Sequence, residues 1–183
     1  MLIFSGIGFL MAVSIIRSMS AIPVILPNLM SNTGTLIVKI TDAPVELSNL
    51  FLTIDGVEVQ DESGDWTPLP LVSGGDEGLH FDLLQFESTT MDAATGELEA
   101  GGYNSIRMSV KAASARLIDG DVDIPLRVPS EKIKVLVQFT IEEGEDTTVI
   151  LDIQVDSTEM STAIANNAEH NLRPVVTATV IDS

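Results

Sequence analysis

Residues 103–112 read Tyr-Asn-Ser-Ile-Arg-Met-Ser-Val-Lys-Ala, and this alternation decides the fold. Isoleucine, methionine and valine recur at every second position, with arginine, serine and lysine between and after them. In an extended chain successive side chains point to opposite faces, whereas a helix spaces its apolar residues three and four apart. The stretch therefore predicts a β-strand with one buried and one solvent-facing side.

Stretches of the same character fill the chain from residue 35 onward, separated by turns rich in glycine, aspartate and proline. His80–Phe86 could be a strand or one helical turn, and residues 157–170 are the region predicted as a short helix or long loop. A bend is expected at Asp55-Gly56 within the second strand. The other predicted strands are Thr35–Thr41, Leu50–Gln60, Trp66–Val72, Ala115–Ile118, Val122–Val128, Lys132–Ile141, Thr147–Val155 and Leu172–Ile181.

Two acidic turns predict hairpins. Asp119-Gly120-Asp121 joins the strands on either side of it, and the Glu-Glu-Gly-Glu-Asp loop at 142–146 joins Lys132–Ile141 to Thr147–Val155. Roughly nine short strands with frequent turns are typical of two packed antiparallel sheets. We therefore predict an all-β fold over residues 34–183, an antiparallel Greek-key β-sandwich of prealbumin-like or immunoglobulin-like type.

Charge divides the chain in two. All 27 acidic residues follow residue 41, the net charge is −18, and only nine residues are basic. Phosphate binding needs clustered lysine and arginine, so nucleic acid is not an expected partner. The chain has no cysteine, which excludes disulfides, thiolate metal sites and a cysteine-linked lipid anchor. An acidic, strand-rich domain suits a solvated exterior, and we expect an extracellular or cell-surface location.

Residues 1–30 form a separate hydrophobic segment whose single charge is Arg17. Three interpretations stay open. A secretory signal could be cleaved near Ser20 or Ala21, although no basic residue precedes the apolar run. Residues 1–22 could instead be retained as an apolar helix of about 33 Å, which is long enough to enter or cross a membrane.

The third interpretation is an extended apolar arm over Ile22–Met30, Ile-Pro-Val-Ile-Leu-Pro-Asn-Leu-Met. Pro23 and Pro27 exclude a regular helix and favour an extended or edge conformation. A neighbouring subunit could accept such an arm as an added strand, and a retained helix could lead into it. The candidate assembly residues are Ile22, Val24, Ile25, Leu26, Leu29 and Met30.

The strand sequences resemble domain of unknown function 4382, a family of exported prokaryotic proteins. The resemblance implies an exported β-sandwich and implies no reaction. Many members look lipid-anchored through an N-terminal cysteine, and that attachment is not carried over because this chain lacks cysteine. The matching stretches, in order, are Gly34-Thr-Leu-Ile-Val-Lys-Ile-Thr-Asp-Ala-Pro44, Phe81-Asp-Leu-Leu84, Gly102-Tyr103-Asn-Ser-Ile-Arg107, Val128-Pro129-Ser130, Ile133-Lys134 and Leu172-Arg173-Pro174-Val175-Val176.

Few residues suggest chemistry. His80 and His170 are the only histidines, they show no metal-ligand spacing, and we expect them to be structural or surface residues. Trp66 is expected in the core or at a strand edge, with ligand stacking as the alternative. The chain has no Gly-x-Ser-x-Gly motif, and we expect neither enzymatic activity nor an organic cofactor.

Two acidic turns could hold calcium, which prefers many oxygen ligands. The first candidate set is Asp119, Asp121 and Asp123, and the second is Glu142, Glu143, Glu145 and Asp146. Neither set has the spacing of an EF-hand loop, which needs its own glycine and terminal glutamate. Solvated turn charges are the simpler interpretation.

The division between an apolar segment and an acidic domain favours assembly. We expect a non-enzymatic cell-surface structural protein, the subunit of an extracellular pilus-like filament of identical copies. Residues 1–30 would mediate assembly, with donor-strand exchange as one route and membrane contact through residues 1–22 compatible with it. The alternative is a secreted or membrane-anchored β-sandwich that binds carbohydrate or a protein partner in adhesion.

Overall fold

The computed structural model describes residues 32–42, 47–129, 131–155 and 170–182. The predicted N-terminal helix, the arm and nearly all of the 157–170 region lie outside these residues. In the described part of the chain, no helix is long and apolar enough to span a membrane.

The described residues form ten strands and two short 3-10 segments, Gly75–Glu77 and Leu83–Phe86. The region His80–Phe86 thus contains both predicted forms, because a short strand runs directly into the second 3-10 segment. The strands are β1 Thr33–Asp42, β2 Asn49–Asp61, β3 Trp66–Leu69, β4 Leu79–Asp82, β5 Met91–Glu99, β6 Gly101–Arg116, β7 Ile124–Leu126, β8 Lys132–Ile141, β9 Asp146–Gln154 and β10 Val175–Asp182.

The strands build two sheets. Sheet A has the order β10-β9-β1-β5, and sheet B has β2 and β6 at its centre. In sheet B, β3 and β4 both pair with one edge of β2, while β7 and β8 both pair with β6. The chain crosses between the sheets after β1, β4, β5 and β8, so neither sheet is a simple meander.

One hydrophobic core is shared by both sheets. In β1 every second residue is fully buried, namely Leu36, Val38 and Ile40, and β6 contributes Ile106 and Met108 from the other sheet. Burying apolar surface in this way supplies the main driving force for folding, about 25 cal/mol per Å². The fold is therefore all-β and sandwich-like, as the alternation predicts.

One pairing departs from the predicted antiparallel arrangement. β1 runs parallel to β9, from Thr35 opposite Asp146 to Asp42 opposite Ile153. Local sequence patterns fix which residues form a strand but not which distant strand lies beside it. The antiparallel prediction is wrong for this pair and correct for the other pairings of the described strands.

The predicted hairpin across residues 142–146 is wrong. β8 lies in sheet B and β9 in sheet A, so the acidic loop carries the chain from one sheet to the other. The loop is bonded to the start of β1: the amide of Thr35 donates to the carbonyl of Glu145, and the amide of Gly144 donates to the carbonyl of Thr33, both at 2.9 Å. These bonds replace the ladder that a hairpin would have formed.

Other boundaries also change. β5 was not predicted, because Asp92, Thr95 and Gly96 interrupt its apolar pattern. Residues 103–112 and 115–116 belong to one long strand, β6, rather than two. The hairpin around Asp119-Gly120-Asp121 is confirmed, since β7 pairs antiparallel with the end of β6.

Candidate functional site

The two lateral sides of the sheets differ. On one side β5 is the edge of sheet A, and the residues that follow β3 cross to it. The amide of Thr95 donates to the carbonyl of Pro70, and the amide of Val72 donates to the carbonyl of Ala93, both at 3.1 Å. Leu71 forms an isolated antiparallel bridge with Ala94. This side is therefore closed by main-chain hydrogen bonds.

The opposite side is built from β8 of sheet B and β10 of sheet A, and we call it the β8–β10 seam. The two strands lie near each other, yet no ladder joins them. β8 pairs only with β6 and β10 only with β9 among the described strands. Each strand therefore turns an unpaired edge of N–H and C=O groups towards this side, the arrangement that accepts added strands.

Several inward-facing side chains along the seam are only half-buried. In β10, Val176 and Ala178 lie opposite Ile153 and Leu151 of β9, which are fully buried. The β10 side chains nevertheless stay partly accessible, because no further strand of the described fold covers them. The half-buried apolar residues along the seam are Ile133, Val137, Val176, Ala178 and Val180.

A cavity lies at each end of the seam. The larger, about 640 Å³, is lined by β8 residues including Phe139, by Val180 of β10, and by acidic loop residues including Glu142 and Glu145. The smaller, about 400 Å³, is lined by Val128, Pro129, Lys132, Ile133, Lys134, Leu172, Arg173 and Pro174. The seam thus has open volume at both ends, mainly polar and acidic in the larger cavity and of mixed character in the smaller one.

β10 is unusual for an exposed edge strand. Its first seven residues, Val-Val-Thr-Ala-Thr-Val-Ile, carry no charge, no proline and no glycine. Val175 is 64% exposed and Ile181 is 49% exposed. Edge strands commonly carry charges or prolines that prevent pairing with other chains, and this one has neither before Asp182.

The outer face of sheet B carries a second candidate site. Arg107 of β6 donates from Nε and Nη2 to Glu58 of β2 at 2.6 and 2.7 Å, and Lys132 donates to the same carboxylate at 2.9 Å. These hydrogen bonds, above all that from Arg107, lower the pKa of Glu58 from its usual 4.5 to about 2. The hydrogen bond to Glu58 likewise raises the pKa of Arg107.

Trp66, the only tryptophan, belongs to this face. It lies on β3, at the edge of sheet B, as one of the two interpretations of its sequence expected. The Arg107 guanidinium sits 3.9 Å from its ring centroid and the Lys134 ammonium 5.2 Å away. Beside this cluster, a cavity of about 480 Å³ is lined by Gln60, Asn104, Ser105, Lys134, Leu136, Val137 and Gln138.

The predicted calcium ligands fall in the loop after β6. Asp123 accepts a hydrogen bond from Arg116 at 2.8 Å, which gives that carboxylate a cationic partner within the protein. Asp119 and Asp121 lie in the same loop, and the described residues hold no cluster of three or more metal-binding side chains. The calcium site stays a prediction, as do the assembly residues Ile22, Val24, Ile25, Leu26, Leu29 and Met30, which lie outside the described residues.

The histidines have separate surroundings. His80 on β4 stacks on Phe51 at a centroid distance of 5.7 Å, and its Nδ1 lies 3.0 Å from the hydroxyl of Thr53. The carbonyl of His170 accepts a hydrogen bond from the amide of Arg127 at 2.7 Å, which helps anchor the chain before β10. Both sets of contacts serve packing and strand placement.

The sequence pattern named Trp66 but did not locate the seam or the Glu58–Arg107 pair. The turn-like sequence at 142–146 predicts a β8–β9 hairpin, which would pair the edge of β8 and leave no seam. The Glu58–Arg107 pair was hidden because the register between β2 and β6 depends on a shift near Gly56. The alternation in both strands does place these two side chains on an outer face, and this was the one feature of the sequence that pointed towards the pair.

The described residues form an all-β, two-sheet domain in which one lateral side is closed by main-chain hydrogen bonds and the β8–β10 seam is not. The sequence matches the family described as a domain of unknown function (DUF4382) over residues 33–174, and the chain belongs to that family. No curated protein matches it. A solved structure, MbnP from Methylosinus trichosporium, is similar at 13% identity over 66% of this chain and 75% of that one, with a TM-score of 0.31.

Proposed function

We propose that this protein is a non-enzymatic, cell-surface structural protein, the subunit of an extracellular filament assembled through its hydrophobic N-terminal segment. The observation that carries the proposal is the uncharged edge of β10, which pairs with no described strand besides β9 and lies beside half-buried apolar side chains. Such an edge is a template for an added strand, and residues 1–30 supply apolar chain for that purpose.

The charge distribution supports the same proposal. A net charge of −18 keeps the folded domains apart and soluble unless a specific contact joins them. Nucleic acid is not a partner in this proposal, and residues 1–22 could contact a membrane before assembly. For the fold we propose a Greek-key sandwich of the prealbumin or immunoglobulin kind, which the four crossings between the sheets support.

Electron microscopy of the purified full-length chain tests the proposal. We expect filaments from the wild-type chain and none after deletion of residues 1–30. The Leu26→Asp variant, which places a charge in the arm, should also prevent assembly, while Ser31→Asp adds the same charge just beyond the arm and should not. Filaments that survive both the deletion and Leu26→Asp would refute the proposal.

Mass spectrometry of the chain isolated from its native host shows at which residue the mature chain begins. A chain that starts at Met1 retains the apolar helix as an assembly element. A chain that starts near Ala21 or Ile22 leaves the extended arm as the only such element. Either result is compatible with a filament, and each specifies a different contact within it.

A second candidate function, a secreted or membrane-anchored binding module, is favoured by the face around Trp66. Trp66 lies opposite Gln60 in the β2–β3 ladder, and Gln60, Asn104 and Gln138 line one cavity. An aromatic ring near amide side chains offers the stacking and hydrogen bonding that sugars use. Because the chain has one tryptophan, its fluorescence reports this face directly. A saturable change on titration with maltohexaose would support this function, and no change with neutral or acidic oligosaccharides would count against it.

A further inference from the structure

We infer that the β8–β10 seam accepts Ile22–Met30 of a second copy as an added strand, paired with the edge of β10 that no other described strand occupies. This inference rests on the proposed function and names the contact that would build the filament. It follows from the backbone pattern of the arm, the reach of the chain and the character of the two seam strands.

The arm has a single edge fit for pairing. In an extended chain the N–H and C=O groups of successive residues point to opposite edges. Pro23 and Pro27 are four residues apart, so both missing N–H groups belong to the same edge. In an extended arm the N–H groups of Ile22, Val24 and Leu26 would therefore share the other edge, available to one acceptor strand.

The second edge then limits sheet growth. Once the first edge is paired, the exposed edge lacks donors at Pro23 and Pro27, which discourages addition of a further strand. Each acceptor thus takes one arm, and the assembly grows by linking copies rather than by widening a sheet. The length also fits: nine residues of arm match the eight residues of β10, a span of about 27 Å.

The arm cannot fill this position within its own chain. The new strand would lie outside β10, so β10 and β9 would separate it from β1. It would be three inter-strand spacings, or about 14 Å, from β1. Met30 is only two residues from Asn32, which is hydrogen-bonded through its carbonyl to the amide of Ala100. Two residues reach about 7 Å, so a fully seated Ile22–Met30 must come from another copy.

Of the two free edges, β10 is the better acceptor. β8 carries Lys132 and Lys134 on its outer face, and lysines on an edge strand discourage pairing with another chain. β10 presents no charge over Val175–Ile181, and its inward residues Val176, Ala178 and Val180 are half-covered. An arm paired with β10 would bury these side chains and extend towards the cavities at both ends of the seam.

Cross-linking tests the contact without requiring filaments. The chain is free of cysteine, so single cysteines report without background. A full-length copy with Asn28→Cys is mixed with a differently tagged full-length copy with Ala178→Cys and treated with a short bismaleimide. We expect at least about tenfold more mixed dimer than with Thr67→Cys, an exposed threonine on β3 of the closed side.

A pair of proline variants tests the one-edge pattern. Val24→Pro removes a donor from the pairing edge, whereas Ile25→Pro removes one from the edge that already lacks donors at 23 and 27. Introduced beside Asn28→Cys, the first should abolish the mixed dimer and the second should leave most of it. Equal loss in both variants would overturn the one-edge assignment.

The outcomes separate this inference from the proposed function. Wild-type filaments with no mixed dimer above the Thr67→Cys level would overturn the seam contact and leave the filament standing. Mixed dimer at Ala178→Cys in a chain that forms no filaments would support the contact and refute the filament. Circular dichroism of each cysteine and proline variant, with an unchanged thermal midpoint, confirms that the fold is retained.

Discussion

Glu58 and Arg107 lie directly opposite each other across the β2–β6 ladder and form a two-pronged ion pair, with N···O distances of 2.6 and 2.7 Å. Both side chains are less than one-quarter exposed. Paired hydrogen bonds to a carboxylate are stronger than a single surface contact and fix the geometry of both groups. The pair therefore ties the two longest strands together at the centre of sheet B.

The low pKa of Glu58 makes stability depend on pH. Because folding lowers this pKa from 4.5 to about 2, the folded state binds the proton less tightly than the unfolded chain does. The contribution to stability is fully present above pH 4.5 and is lost as pH falls towards 2. In urea unfolding we expect Glu58→Gln to reduce stability at pH 7 and to flatten its decline between pH 4.5 and 2.

Glu97→Gln is the matched control for this experiment. Glu97 is exposed on β5, so its replacement should leave both the stability at pH 7 and the slope nearly unchanged. A Glu58→Gln protein whose stability declines with acid as steeply as the wild type would contradict the assigned pKa. Comparison with Glu97→Gln removes the general effect of one fewer negative charge.

The strands were predictable from the sequence, and their partners were not. Leu36, Val38 and Ile40 alternate with polar or less buried neighbours, and this local pattern correctly marks β1 as a strand with a buried face. That β1 lies parallel to β9 depends on contacts more than 100 residues apart in sequence. No local pattern encodes such a pairing, because alternation is the same for parallel and antiparallel neighbours.

Glycine explains part of the remaining difference. Gly56 was correctly recognised as a break within the second strand, and the register between β2 and β6 does shift beside it. Gly144 was assigned to a hairpin turn for the same reason, yet it lies in a crossing between sheets. A turn glycine shows where the chain changes direction but not which sheet it enters next.

Asp82 is a buried carboxylate that organises the junction of β2, β4 and the following 3-10 segment. It accepts hydrogen bonds from the amides of Leu50 at 3.0 Å and Leu84 at 3.3 Å, and from the side chain of Asn49 at 2.7 Å. Asp82→Ala leaves these donors without an acceptor, and we expect a loss of about 2–3 kcal/mol in the free energy of unfolding. Chemical denaturation measures it.

Two further variants make the Asp82 test specific. Asp82→Asn keeps one oxygen acceptor and should cost about half as much as alanine. Asp76→Ala removes an exposed carboxylate from the other 3-10 segment and should change the free energy by less than about 0.5 kcal/mol. If Asp82→Ala had the same free energy of unfolding as the wild type, water would replace these hydrogen bonds without cost.

Gly34 marks the point where the acidic loop meets β1. A Cβ at this position would overlap the carbonyl oxygen of Glu142 and lie 2.8 Å from that of Glu145, both backbone atoms that cannot turn aside. We expect Gly34→Ala to lower the free energy of unfolding by about 2–3 kcal/mol, because the loop must shift and strain its bonds to Thr33 and Thr35.

Gly56→Ala is the control for this prediction. Its Cβ would meet the Ser109 side chain at 3.6 Å, an ordinary contact, and the reduced freedom of the unfolded chain offsets any cost. We expect a change within about 0.5 kcal/mol at Gly56, measured by the same denaturation. An equally small change in the free energy of unfolding for Gly34→Ala would contradict the prediction. It would show that the loop between β8 and β9, which lines the larger cavity of the seam, is not held tightly against β1.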